Sequence, residues 1–140
     1  RRVPGRGPTW IEDEEIRVTG EAAHLSRRVR DFLVEKSKQE LSRRARAFAQ
    51  KVDREVTRIS VRDMTSRWGS CSSSGSLSFS WRLIFAPEGV LTYLVAHEVS
   101  HLVVMNHGAR FWRLVESLVP DARYRQDWLR RHRTELMRFG

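Results

Sequence analysis

The 140-residue sequence predicts an α+β fold: a long N-terminal helix, a small β-sheet or hairpin, then a helix rich in histidine and two C-terminal helices. Three observations carry this. Over Glu21 to Lys51, Leu25, Val29, Phe32, Leu33, Leu41, Ala45 and Phe48 recur at three- and four-residue steps, the period of an amphipathic helix. The period then shortens to two over Val56 to Val61 and again over Leu77 to Leu83, as strands require. After Ala86 the helical period returns.

Taken in order, Arg1 to Pro8 is basic and rich in Gly and Pro, so residues 1–20 read as a tail or loop with a short strand around Ile11 to Val18. In the first alternating stretch Ile59 and Val61 share one face, and Arg58, Ser60 and Arg62 the other. In the second, Leu77, Phe79, Trp81 and Leu83 point inward. Ser72-Ser73-Ser74-Gly75 between them is the turn. Ala86-Pro87-Glu88 opens the next helix, with Pro87 in its first turn, where the missing N–H costs nothing. A helix over Gly108 to Val119 packs Phe111, Trp112, Val115 and Leu118. Pro120 and Asp121 end it and cap another that runs to about Phe139, with Trp128, Leu129 and Leu136 inward. With no internal repeat, residues 1–140 form one domain, and its motifs concentrate in residues 58–130.

The middle helix carries the chemistry. It contains His97-Glu98-Val99-Ser100-His101, and His107 follows shortly after. Four residues apart on a helix, His97 and His101 stack on one face and can reach a single ion. Glu98 lies roughly 60° around from His101, a position suited to activating a water rather than to ligation. Leu91, Val95, Val99 and Leu102 gather opposite the histidines, giving a packed back and a polar front. Catalytic zinc usually takes three protein ligands and keeps one open position. For the third, His107 is preferred and Glu116 on the following helix is the alternative. On an unbroken helix His107 would sit about 9 Å beyond His101, so the helix must stop first; Asn106 and Gly108, which tolerate left-handed or capping conformations, supply the break.

The formal charge is +9, almost all of the positive charge being arginine. One cluster lies in the N-terminal third (Arg27, Arg28, Arg30, Lys36, Lys38, Arg43, Arg44, Arg46) and another at the end (Arg123, Arg125, Arg130, Arg131, Arg133, Arg138). Such faces suit anionic partners, nucleic acid among them. Asp31, Glu35 and Glu40 interleave with the first cluster, however, as on an ordinary solvated helix. A lone cysteine, Cys71, excludes an internal disulfide. A lone Cys beside Trp68 reads as a small buried hydrophobe; its alternative is an inhibitory fourth ligand or redox switch. No apolar run is long enough to span a bilayer and no signal core follows the first residues, so a cytoplasmic location is expected.

Arg67-Trp68-Gly69-Ser70-Cys71, Gly75, Trp81-Arg82-Leu83-Ile84, Ala86-Pro87, His97-Glu98, His101-Leu102, Asn106-His107, Phe111-Trp112, Pro120-Asp121 and Trp128-Leu129 together resemble the YgjP-like zinc metallopeptidases, relatives of the SprT-like group. The resemblance covers about Arg58 to Leu129. It implies a compact zincin-like domain, with Zn2+ at positions corresponding to His97, His101 and His107 and with Glu98 as catalytic base. Two residues depart from the family pattern: Ser80 replaces a common Asn, and Val99-Ser100 replaces Leu-Ala.

The expected function is a zinc-dependent hydrolase of protein or peptide substrates. Two alternatives stand beside it, a metal-dependent hydrolase of nucleotide phosphoanhydrides and a nucleic-acid-binding module with a structural zinc. A structural site has no use for an adjacent base and is normally closed by four ligands, which disfavours the last. Arg67, Tyr124 and His132 are candidates for stabilising an oxyanion. The Trp68-Gly69-Ser70 segment is expected to stand behind the ligands or shape the cleft, and the strand bearing Phe79 to offer an edge to an extended peptide.

Overall fold

The computed structural model describes residues 26–138; the basic tail and the short strand expected around Ile11 to Val18 lie outside them. The first described element is α1 (Arg27–Lys51), which buries Leu33, Leu41, Ala45, Phe48 and Ala49 in the apolar core. Ser26 starts this helix by accepting the Val29 N–H at 3.2 Å. Its end is a Schellman turn: Arg54 N–H donates to Ala49 O (3.0 Å) and Asp53 N–H to Gln50 O (3.2 Å), which places Asp53 at φ 58°.

Among the described residues the sheet has three strands, β1 (Arg58–Arg62), β2 (Gly69–Cys71) and β3 (Ser76–Ser80), in the order β1-β3-β2. β3 runs parallel to β1 and antiparallel to β2. The Ser72–Gly75 turn therefore joins β2 to β3, not β1 to β3 as alternation alone suggested. Gly75 sits at φ 92°, where a Cβ would meet Glu55 O at 3.2 Å, so glycine is required there. The second alternating stretch stops being a strand at Ser80. Trp81–Phe85 forms a 3-10 turn instead, in which Ser80 Oγ accepts the Arg82 N–H at 3.3 Å. Ser80 also donates to Met64 O at 3.2 Å, so the serine at this position has a capping role of its own.

The helices that follow are α2 (Glu88–Ser100), α3 (Ala109–Leu118), α4 (Ala122–Arg131) and α5 (Arg133–Met137). Pro87 is the residue just before α2 rather than within its first turn. The expected final helix breaks at His132, whose ring stacks on Trp128 at 3.9 Å and whose Nδ1 meets Trp128 O at 2.8 Å. Asp121 precedes α4, but its carboxylate accepts from Arg125 Nε (2.9 Å) rather than from a helix N–H. The core joins Leu33 and Leu41 of α1, Leu77 and Phe79 of β3, Trp81, Leu83 and Phe85 of the 3-10 turn, Val90 and Val95 of α2, and Phe111 and Val115 of α3. Each such side chain contributes about 1.5–3 kcal/mol by leaving water.

α1 is tied to the start of α2 by a buried cation. The Arg44 guanidinium donates to Glu40 Oε1 (2.7 Å), Glu88 Oε2 (2.7 Å) and Thr92 Oγ1 (3.0 Å). This arginine, counted in sequence among a solvated cluster, is 9% exposed. Its hydrogen bond, and more weakly that of Arg43, holds the Glu40 carboxyl below its usual range despite partial burial. A depressed carboxyl stabilises the fold above its unfolded pKa and loses that contribution as the pH falls through the folded value. Arg44→Met should therefore cost about 2–3 kcal/mol at pH 7. The deficit should shrink below pH 4.5, the ordinary value for Glu40, in urea titrations run across the acid range.

Candidate metal centre

α2 is packed by α1, α3, α4 and β2, so the apolar back and polar front expected of it become burial on nearly every side. Val90, Leu91, Leu94, Val95, Ala96 and Val99 are all enclosed, and so are Glu98, Ser100 and His101. The helix also ends sooner than the residues around His107 suggested. Leu102 N–H donates to Val99 O (2.9 Å) and Val103 N–H to Ser100 O (3.0 Å), so the backbone tightens immediately after Ser100 and turns back. Asn106 and Gly108 do not make this break and neither is left-handed. Instead Asn106 Oδ1 accepts the Gly108 N–H at 3.0 Å and starts α3.

The reversal brings three imidazoles together. One nitrogen from each of His97, His101 and His107 lies within 4.8 Å of the others. His101 Nε2 and His107 Nε2 are 3.1 Å apart. His101 Nδ1 meets Val104 O at 3.0 Å, so it carries the proton and leaves the Nε2 lone pair facing His107. Two facing imidazole nitrogens repel unless a proton or a cation lies between them, and a third imidazole beside them makes a divalent ion with nitrogen preference the natural occupant. Desolvation holds His101 below the usual histidine range, which keeps it in the neutral form a metal needs. The residues thus fit a metal ion.

Phe111 is the floor of this cluster. Fully buried on α3, its ring stacks on His101 at 4.4 Å and meets His97 and His107 edge-on at 5.0 Å each. Trp112 and Tyr93 flank His97 at 5.9 and 6.0 Å. The alternative ligand Glu116 is turned away, its carboxylate on Arg123 at 3.1 Å.

Glu98 is 4% exposed, with Oε2 3.1 Å from His97 Nδ1. It is admitted by Gly69 on β2, where a Cβ would stand 3.1 Å from Glu98 Cγ and 3.2 Å from Oε2. The Trp68-Gly69-Ser70 segment therefore does stand behind the site, through the side chain Gly69 lacks. Burial, and then the Glu98 charge, push the Cys71 thiol up to about 11, so it is protonated at neutral pH and packs as a small half-buried residue. Ser100 is fully buried, and its Oγ has no hydrogen-bond partner among the described residues. Ser100→Ala should accordingly raise stability by about 1 kcal/mol, read as a higher urea midpoint with unchanged slope.

His97 and Glu98 open onto a cleft of about 580 Å³, whose walls include Arg67, Trp68, Gly69, Tyr93 and Leu94. Arg67 and Trp68 both line the cleft. Tyr124 is not: it is 58% exposed on α4, with Arg125 over its ring at 5.3 Å. His132, packed on Trp128, is not part of the cleft wall either. Phe79 lies on the central strand, paired on both sides, so among the described residues the sheet edge on the Gly69 side belongs to β2. Sequence reasoning missed Tyr93 and the cleft positions of Arg123, Arg130 and Arg133. Tyr93, four residues before His97, was readable from helical spacing; burial raises its hydroxyl's pKa, with Glu98 adding to the effect.

No helix among the described residues is long and apolar enough to cross a membrane. Searches of curated proteins and of solved structures returned no match. The family model of the YgjP-like metallopeptidase domain, by contrast, matches residues 8–132, which include every residue of the histidine cluster and its cleft apart from Arg133. With a match of that extent, and a histidine trio suited to a metal, the chain belongs to the YgjP-like metallopeptidase domain family.

Proposed function

We propose that the protein is a zinc-dependent peptidase in which His97, His101 and His107 hold one Zn2+ and Glu98 is the general base. The observation that supports this most strongly is the convergence of three imidazole nitrogens beside a buried carboxylate at the wall of an open cleft. Bound there, zinc would supply Lewis-acid polarisation of the scissile carbonyl and acidify water toward neutrality. Glu98 takes the proton of the attacking water and returns it to the leaving amine. Gly69 and His97 fix its carboxylate, so little reorganisation accompanies the transfer. Val104 O and Phe111 orient His101, the first through the proton on Nδ1 and the second through ring stacking. Of the three oxyanion candidates, Arg67 is at the cleft wall, whereas Tyr124 and His132 are found elsewhere.

Three donors and an adjacent cleft are the arrangement of a reactive site, whereas a purely structural zinc is closed by four. Zinc-loaded protein should cut unfolded casein, lose this activity to a chelator and regain it with added zinc. Hydrolysis of nucleoside triphosphates by the same preparation, with casein left intact, would replace the peptidase reading with the phosphoanhydride one.

A further inference from the structure

The cleft next to His97 and Glu98 is lined by four arginines, Arg67, Arg123, Arg130 and Arg133, against two carboxylates, Glu98 and Asp127. Two of the four are already matched. Arg123 Nε donates to Glu116 at 3.1 Å while its guanidinium lies 3.7 Å above the Trp112 ring. Arg130 is paired with Asp127, which also takes Arg131 at 2.9 Å. The other two have no acidic partner among the described residues. Arg133 donates to Thr65 O at 2.8 Å and lies 5.9 Å from the Trp68 ring centre, contacts that orient it but leave its charge uncompensated. Arg67 is exposed and has neither an ion pair nor a ring contact among the described residues.

The two unmatched guanidiniums come from different elements that line the same cleft, one from the segment leading into β2 and one from the first turn of α5. A guanidinium offers a planar fork of donors that pairs with a carboxylate through two parallel hydrogen bonds. We propose that Arg67 and Arg133 are specificity determinants that select substrates with acidic side chains close to the bond cleaved. This rests on the peptidase reading above and names its substrate class. Lysine-rich segments are repelled by the same field, so the selection works by exclusion as well as by attraction.

The test uses fluorescence anisotropy on the Glu98→Gln protein, so that binding is read without turnover, together with cleavage by the parent. The probes are a labelled Gly-Ser-Ala peptide with two central glutamates, its glutamine twin and its lysine twin. The glutamate peptide should bind about tenfold tighter than the glutamine one, with the advantage shrinking as salt rises. Arg67→Gln with Arg133→Gln should erase the difference. Arg28→Gln with Arg46→Gln, an equal loss of charge on α1, should preserve it. Because Arg133 contacts Thr65, a second variant guards against misfolding: Arg67→Glu, at an exposed side chain, should turn the preference toward the lysine peptide. Equal binding of glutamate and glutamine peptides would overturn the proposal, and so would an acidic preference abolished only by the α1 pair. So would nucleoside triphosphate occupying the cleft while the glutamate peptide fails to bind. Cleavage of all three peptides at one rate would sink this inference alone, whereas acidic binding with no cleavage of any peptide would sink the peptidase reading alone.

Discussion

Glu98→Gln should keep its metal and lose its turnover, with kcat falling by about a hundred- to ten-thousandfold. Glutamine has the same shape and fits the space that Gly69 leaves on β2, so the fold and the three imidazoles are retained. It lacks the basicity to accept a proton from water. The carboxylate is 4% exposed, so bulk buffer has little access to substitute for it. Zinc content, melting temperature and kcat measured on one preparation separate the outcomes. A normal metal load with kcat within twofold of the parent would remove Glu98 from the reaction.

Phe111→Ala is the second large effect, expected to cost about 3–5 kcal/mol because a fully buried ring is deleted. The informative variant is Phe111→Leu. It refills most of the volume and should cost only about 1–2 kcal/mol, but it removes the ring on which His101 stacks and against which His97 and His107 rest. Zinc affinity, measured by chelator competition, should drop by about tenfold to a hundredfold. Stability lost without any loss of affinity would make Phe111 a core residue and nothing more.

His97, Glu98 and His101 were legible in the sequence because their relation is helical: a spacing of four fixes two imidazoles on one face before any tertiary contact is known. His107 was legible only as a requirement for a helix break. The break occurs at Ser100, through backbone hydrogen bonds that no side chain advertises. β2 escaped notice because Gly69-Ser70-Cys71 is too short and too small to show alternation, and its partner β3 supplies the pairing. Trp81 and Leu83 were placed inward correctly but on the wrong backbone, since an apolar run is buried equally well by a strand or a 3-10 turn. The arginines were visible as clusters along the chain. Which of them would be buried, as Arg44 is, or would face the cleft, as Arg133 does, depended on packing between segments distant in sequence.

The central claim is that three imidazoles grip one ion while Glu98 stays free. Zinc K-edge X-ray absorption on protein loaded with one equivalent of metal tests it most directly. The account predicts three imidazole nitrogens at about 2.0–2.1 Å and one further light-atom ligand from solvent. A sulfur scatterer at about 2.3 Å, or fewer than three imidazoles in the multiple-scattering region, would contradict it.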